Sequence, residues 1–238
     1  MIILFPSTYD NLNMVDEDYK VEKDIAEKLG IKTVLFNYDE FVFGTGSLKL
    51  NIVIEELSDC IYRGWMLNLS QYDKFYQKLL KLNLKLINTV DNYKNAHEFI
   101  YSYKILRNYT PEIYTYGLNE DINWNDVKSK FGKFKMKDYV KSIKGFNFPD
   151  YFDETYSNVE LNMYLNRFKE LRGDLLDGGI ILKKFVSLKK DSFGNTNEFR
   201  CWFYKGKLIH FYRNTNGNSD ELRNLDISWI KGLPKLKK

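Results

Sequence analysis

Residues Lys135 to Phe146 read KMKDYVKSIKGF, and four of these twelve residues are lysines. If the segment is extended, Lys135, Lys137, Tyr139 and Lys141 share one face, because strand side chains alternate with a period of two. Three cations on one strand face repel one another. The pattern therefore fits two readings: an anionic partner such as a triphosphate, or a solvent-facing edge strand whose lysines discourage pairing with another chain. Each charge-assisted bond to a phosphate contributes roughly 1.5–3 kcal/mol.

Working outward, residues 1 to about 90 alternate between strand and helix signals. Ile2 to Phe5, Thr33 to Phe36, Cys60 to Trp65 and Leu84 to Ile87 are short apolar runs that suit buried strands. Between them, Val21, Ile25, Ala26 and Leu29 fall on one helical face that stops at Gly30. Tyr72, Phe75, Tyr76, Leu79 and Leu80 mark a second amphipathic helix. Residues 44–57 suggest a hairpin or an edge strand. Strands alternating with helices predict a doubly wound parallel sheet, an α/β unit. Residues 91–130 read as mostly helical, interrupted at Thr110-Pro111. Beyond 130 the pattern changes to α+β with antiparallel strands. Phe134 to Ser142 and Gly179 to Leu188 read as strands around a helix from Thr155 to Arg172, and Asn197 to Tyr204 with Leu208 to Arg213 form a hairpin turned at Lys205-Gly206. The expected organisation is an α/β unit with its helical connection over 1–130 and a second unit over 131–238.

At 238 residues the chain is long enough for a substantial core, and its 44% hydrophobic and 29% charged fractions are those of a globular protein. The net charge of +4 is too even to imply a nucleic-acid or membrane partner by itself. Basic residues gather at Lys128 to Lys144, Lys183 to Lys190 and Lys231 to Lys238, the last read as a solvated tail. An aromatic content of 16% follows from compositional bias, with base stacking as the alternative. Cys60 and Cys201 stand apart, outside any CxxC pair, and read as free thiols in a reducing compartment. With no signal peptide and no 18-residue apolar run, the expectation is a cytoplasmic protein with no membrane partner.

Several further segments carry chemistry. GGIILKKFVSL, Gly178 to Leu188, is an apolar strand leading into Phe185-Val186, either a core strand or one wall of a flat pocket. NEFRCWFYKGKLIHF, Asn197 to Phe211, puts Glu198 and Arg200 on one strand face, as a cross-strand ion pair or a phosphate clamp. CIYRGWML, Cys60 to Leu67, places Arg63 at the carboxyl end of a strand, where open α/β sheets bind ligands. GTGS, Gly44 to Ser47, lacks the Lys-Ser/Thr of a P-loop and reads as a turn. His97 and His210 have no metal-ligand spacing, and His97 beside Glu98 reads as a packing or polar-network residue.

Taken in order, IYRGWML, LINTVDNYKNAHEF (Leu86 to Phe99), YTPEIY (Tyr109 to Tyr114), MKDYVKS, ELRG (Glu170 to Gly173), GGIILKKFV and NEFRCWF resemble the ATP-grasp superfamily, and more closely a clade of stand-alone ATP-grasp proteins of bacteria and their viruses. The resemblance extends to about residue 213. It implies an ATP clamped between two α+β subdomains and a carboxylate joined to an amine through an acylphosphate, with ADP released, in the cytoplasm of a bacterium or a virus-infected cell. The acceptor would be a peptide, a protein or a small molecule. On this resemblance Lys137 and Lys141 hold ATP phosphates, and Leu182, Lys183, Lys184 and Phe185 belong to the hinge strand that touches adenine, with Glu198 beside them in the nucleotide site. Arg200 neutralises the charge developing in phosphoryl transfer, an electrostatic task, and Arg63 orients the substrate carboxylate. The chain departs from the family in two places. Lys184 stands where an acidic residue precedes the hinge phenylalanine. Asp226 is a single candidate ligand for Mg2+, with no Glu-x-Asn pair after it. Three functions follow: an ADP-forming carboxylate–amine ligase; a catalytically degenerate module that binds a nucleotide or a protein; and, more weakly, a nucleic-acid-binding protein.

Overall fold

The computed structural model describes residues 1–190, 196, 198–204 and 207–213. Four strands, β1 (Ile2–Pro6), β2 (Lys32–Phe36), β3 (Ser58–Tyr62) and β4 (Leu84–Leu86), form one sheet in the order β2-β1-β3-β4. All three pairings are parallel, with Ile2 opposite both Lys32 and Cys60, and Ser58 opposite Leu84. Three helices connect them: α1 (Lys20–Lys28), α2 (Tyr38–Val42) and α3 (Leu69–Lys81). The α3 face chosen by periodicity is the buried one: Tyr72, Phe75 and Leu79 pack on Ile2, Leu4, Val34 and Phe36. A capping box starts it, with Asn68 accepting from the Gln71 N–H and the Gln71 side chain accepting from the Asn68 N–H. The opposite sheet face, from Phe5 and Leu35, is covered by Val15 and Tyr19.

Two expectations for this half are corrected. Only Ala26 of the α1 stripe is buried; Val21, Ile25 and Leu29 face outward. Ala26 is the inward residue, flanked by the half-exposed Glu22, which pairs with Arg63, and Glu27, which accepts from the Thr33 hydroxyl at 2.6 Å. Residues 44–57 form neither hairpin nor edge strand. Leu50 makes one antiparallel bridge to Phe36, and Asn51 occupies the free edge of β2, its Oδ1 accepting from Leu35 N–H and its N–H donating to Leu35 O. An edge blocked this way cannot template another strand.

The chain continues through α4 (Val90–His97), α5 (Phe99–Leu106), β5 (Ile113–Tyr116), α6 (Trp124–Phe131), β6 (Phe134–Lys137), α7 (Asn158–Arg172) and β7 (Ile180–Lys184). Strand β5 interrupts the stretch read as helical. Its sequence, IYTY, is made of β-favouring residues just after a proline. These strands form an antiparallel sheet in the order β5-β7-β6. Phe134, Met136, Ile180 and Leu182 face α6 and α7, where they meet Trp124, Val127, Phe131, Leu161, Leu165 and Phe168. A separate antiparallel pair, β8 (Phe199–Tyr204) and β9 (Lys207–Arg213), carries a register irregularity between Trp202 and Phe203. The turn at Lys205-Gly206, Asn197, and Asp226 with the rest of the tail lie outside the described residues. No helix among the described residues is long and apolar enough to cross a membrane. Cys60 is fully buried, and burial pushes its thiol up to about 12.

Candidate functional site

Strand β6 is only four residues long and ends five residues short of the expected Ser142, and the reason is Asp138. Its Oδ1 accepts from the Val140 N–H at 2.7 Å and the Lys141 N–H at 2.5 Å, while its own N–H donates to Lys141 O at 3.0 Å. This side-chain-capped turn competes with strand pairing. Lys141 consequently leaves the strand face and projects from an exposed turn. Asp138 is itself completely buried. Its Oδ2 accepts from Arg172 Nε at 2.6 Å at the end of α7, so a buried ion pair anchors the turn. The Arg172 guanidinium also donates to Leu175 O.

The face of the sheet turned away from α6 and α7 carries Lys135 and Lys137 on β6 and Lys183 on β7, with Lys135 directly opposite Lys183. Phe99, the first residue of α5, is held against this face by its N–H, which donates to Tyr139 O at 2.7 Å. The ammonium groups of Lys137 and Lys183 lie 4.9 and 4.6 Å from the centre of its ring. An aromatic face attracts cations, so the ring steadies two lysines that otherwise repel. Lys137 Nζ also donates to Asp138 O at 2.6 Å. Further along, Lys133 Nζ stands 3.2 Å from the Tyr151 ring centre and 4.7 Å from that of Phe185, and the two rings are 5.3 Å apart.

Burial lowers the Lys137 ammonium to about 8. The Asp138 carboxylate opposes the fall, while Lys183 and Arg172 add to it. Burial likewise lowers Lys183, with Lys135 adding to it. The sign of the resulting pH dependence follows. Between about 8 and 10.5 Lys137 binds more protons in the unfolded chain than in the folded one, so its contribution to stability rises with pH across that window. The stability of the wild type relative to Lys137→Met, read by chemical denaturation, is expected to rise by roughly 2 kcal/mol from pH 8 to pH 10. The Cys60 thiol, raised by burial to about 12, and the buried tyrosines Tyr62, Tyr72 and Tyr93, raised by desolvation, act in the opposite direction as pH passes their unfolded values near 9 and 10, and do so equally in both proteins. A difference between the two proteins that stays flat or shrinks between pH 8 and pH 10 would contradict this account of the lysine.

The remaining site residues fall in three places. Leu182 is fully buried on the α6/α7 side, and Lys184 shares that side with Phe134, so neither side chain reaches the lysine face. Phe185 extends the pairing by donating its N–H to Lys133 O at 2.8 Å. Arg63 follows β3 in the parallel half, where its guanidinium clamps the Glu22 carboxylate with two bonds at 2.5 and 2.6 Å. Arg200 lies on the hairpin, and its guanidinium donates to the Tyr212 hydroxyl at 3.2 Å. Glu198 accepts from the Thr196 hydroxyl, so the expected Glu198–Arg200 pairing is replaced by two local partners. GTGS is a turn, as read: the Gly44 and Gly46 N–H groups donate to Asp39 O and Glu40 O, and Thr45 donates to Glu40.

Sequence reasoning missed Phe99, Asp138 and Arg172, although HEF, KDY and ELRG were each in view. It also missed why two glycines open β7. Gly178 has φ +69°, and a Cβ there would overlap the Tyr139 ring; one at Gly179 would overlap Tyr116 O. Gly178→Ala is expected to cost about 1–3 kcal/mol through backbone strain and displacement of the Tyr139 ring, read by urea denaturation. An unchanged midpoint would show that the ring moves aside freely.

His97 completes the surroundings. Its ring stacks on Tyr93, which stacks on Tyr72 in the first core, with centroids 4.8 and 3.7 Å apart. Burial lowers the His97 pKa; Asp177 opposes this, Lys141 reinforces it, and Asp138 opposes it more weakly.

With this arrangement in place, solved structures give it a class. D-alanine–D-alanine ligase from Bacillus anthracis matches with a TM-score of 0.54 at 14% identity, over 88% of this chain and 62% of that one. The same ligase complexed with ATP matches at 0.51 and 13% identity, over 88% and 64%. A RimK domain ATP-grasp protein from Sphaerobacter thermophilus matches at 0.54 and 10% identity, over 93% and 78%. The fold is that of the ATP-grasp ligases, and the chain spans less than two thirds of the length of the Bacillus ligase. No protein-family profile and no curated protein sequence matches the chain.

Proposed function

We propose that this chain binds ATP on the lysine face and acts as an ADP-forming carboxylate–amine ligase working through an acylphosphate. The observation that carries the reading is the convergence of Lys137 and Lys183 on one open sheet face, steadied by Phe99, with Lys141 presented beside it on a turn anchored by Asp138 and Arg172. Two partly desolvated ammonium groups this close are poorly compensated from within the chain and are suited to a polyphosphate. Phe185 and Tyr151 stand next to it, tilted 50° to each other with the Lys133 ammonium over both rings, so a purine stacking on either ring would displace that lysine. Arg200 would meet the charge developing on the transferred phosphoryl group, and Arg63 the substrate carboxylate. Acceptors within this reading are a peptide, a protein or a small molecule. Among the described residues no cluster of three or more histidine, cysteine, aspartate or glutamate side chains could hold a metal ion, and Asp226 lies outside them. The proposal for phosphate binding therefore rests on the lysines.

One observation favours a second reading, a nucleotide- or protein-binding module without turnover. Arg63 is already satisfied by Glu22, so a substrate carboxylate must displace that partner. The two readings separate in one experiment. Thermal unfolding with Mg-ATP at about a hundred times its dissociation constant should raise stability by roughly 2.7 kcal/mol, about 5–10 °C in midpoint. ADP release on adding candidate carboxylates and amines then indicates the ligase; a shift with no release under any pairing indicates the module. No shift with any nucleotide would overturn both.

A further inference from the structure

Beside the lysine face lie three titratable side chains, those of His97, Glu98 and Asp177, with no hydrogen-bond partner among the described residues. Glu98 joins α4 to α5 and is only 5% exposed. It holds the amino-terminal cap position of α5, yet its carboxylate makes no capping bond and no ion pair. Asp177 precedes the two glycines that open β7. Its main-chain carbonyl accepts from the Tyr139 N–H at 3.1 Å, while its carboxylate Oδ2 is buried without a partner. His97 is half-buried and held by its ring alone, stacked on Tyr93. Burial raises the Glu98 carboxyl, the Asp177 carboxylate adds to the rise, and Lys94 opposes it. The same Asp177 carboxylate acts on His97, so the three groups share one small volume. Lys94 lies 4.4 Å from the centre of the Tyr101 ring, and Lys141 projects from its turn; neither makes an ion pair among the described residues.

Buried polar groups are almost always paired, so two unpartnered carboxylates side by side call for a positively charged donor. No set of three histidine, cysteine, aspartate or glutamate side chains among the described residues is arranged to hold a metal ion. A primary ammonium fits instead. It carries one positive charge and three N–H donors, matching Glu98, Asp177 Oδ2 and one nitrogen of a neutral His97. The position is also apt. Phe99, the next residue after Glu98, meets Lys137 and Lys183, and Tyr139, bonded to Asp177, belongs to the turn that presents Lys141. We propose that Glu98, Asp177 and His97 form a subsite for a primary ammonium group, the amine partner of the reaction, a role that rests on the ligase reading. Glu98 takes one proton from the ammonium and leaves a neutral amine. The amine attacks the acylphosphate carbonyl, the C–N bond forms as the C–O bond to phosphate breaks, and phosphate carries off the second proton. A carboxyl raised by burial is suited to receive the first.

Glycinamide, with N-acetylglycinamide as its uncharged counterpart, is the probe, titrated into the full chain and read by NMR of the His97 ring. The chain has two histidines, so His97→Gln identifies the signal. Glycinamide should shift it saturably, with half-saturation on the order of 1–10 mM for so small a ligand, and N-acetylglycinamide should not. Glu98→Gln and Asp177→Asn should each weaken the response about ten-fold or more. Without ligand both variants should melt no lower than the wild type, because each removes an unpartnered charge. Methylammonium separates two sources of the group: tighter binding of glycinamide marks the α-amino group of a peptide, equal binding a simple amine. The Mg-ATP thermal shift, measured alongside, keeps the two readings apart. A normal nucleotide shift with no His97 response to either amine overturns this inference alone. A His97 response with no nucleotide shift supports the ammonium subsite and overturns its role in a ligation. A response that N-acetylglycinamide reproduces, or that survives both substitutions together, overturns the subsite. So does a midpoint that falls in both variants, since the chain itself would then be satisfying the two carboxylates.

Discussion

Replacing Asp138 with alanine is expected to lower the unfolding free energy by about 3–5 kcal/mol, the range for breaking a buried ion pair from one side. For a chain of this size that is a fall of roughly 6–20 °C in midpoint. The carboxylate is completely buried and has three partners: Arg172 Nε on one oxygen, and the Val140 and Lys141 N–H groups on the other. Without it, the Arg172 guanidinium, whose side chain is only 12% exposed, keeps its bond to Leu175 O. The two turn N–H groups lose their acceptor as well. Asp138→Asn retains an acceptor for the turn and should cost less. The informative comparison is Arg172→Ala and the Asp138→Ala/Arg172→Ala pair. Because each single change strands the other partner, the double variant should be well short of additive. Additive losses, or a single loss under about 1 kcal/mol, would show that the pair is not what holds the turn. The consequence for the site is direct, since the same turn presents Lys141.

Lys137→Met is expected to cut the thermal shift given by Mg-ATP by about half or more while leaving the apo protein as stable as the wild type at pH 7, or more so. The opposed signs follow from one cause. Burial pulls the Lys137 ammonium down to about 8, so its charged form is held at a cost that a phosphate relieves and methionine avoids. Loss of one charge-assisted bond weakens nucleotide binding by about 10- to 150-fold. At the ATP concentration that shifts the wild type by 5–10 °C, the shift should fall to between about a half and a tenth of its wild-type size. A variant that melts early without ligand yet retains the full shift would place Lys137 in the core rather than in the site.

The parallel half was readable from pattern because its signals are local. Short apolar runs alternating with helical periodicity leave a parallel sheet as the economical arrangement, and the order β2-β1-β3-β4 follows that pattern. The α3 face was readable for the same reason: Tyr72, Phe75 and Leu79 repeat at helical spacing and find the core. The α1 face was not. Val21, Ile25 and Leu29 have equally good spacing, yet only Ala26 of that stripe is buried, a choice made by how the helix docks on strands elsewhere in the chain. Periodicity identifies an apolar stripe without identifying its neighbour.

The candidate site divides along the same line. Sequence alone determined that Lys135 and Lys137 share a strand face and that an apolar strand leads to Phe185, because alternation within a strand is a property of the backbone. It could not determine that the strand stops at Lys137, since an aspartate ends a strand only where its carboxylate has somewhere to be buried. Here that place is Arg172, brought from the end of a helix 34 residues later. Only the tertiary structure decided that Lys183 joins Lys137 across a single ring, Phe99, from a helix more than thirty residues earlier in the chain. Such pairings are set by register and packing between distant segments, and local chemistry carries no record of them.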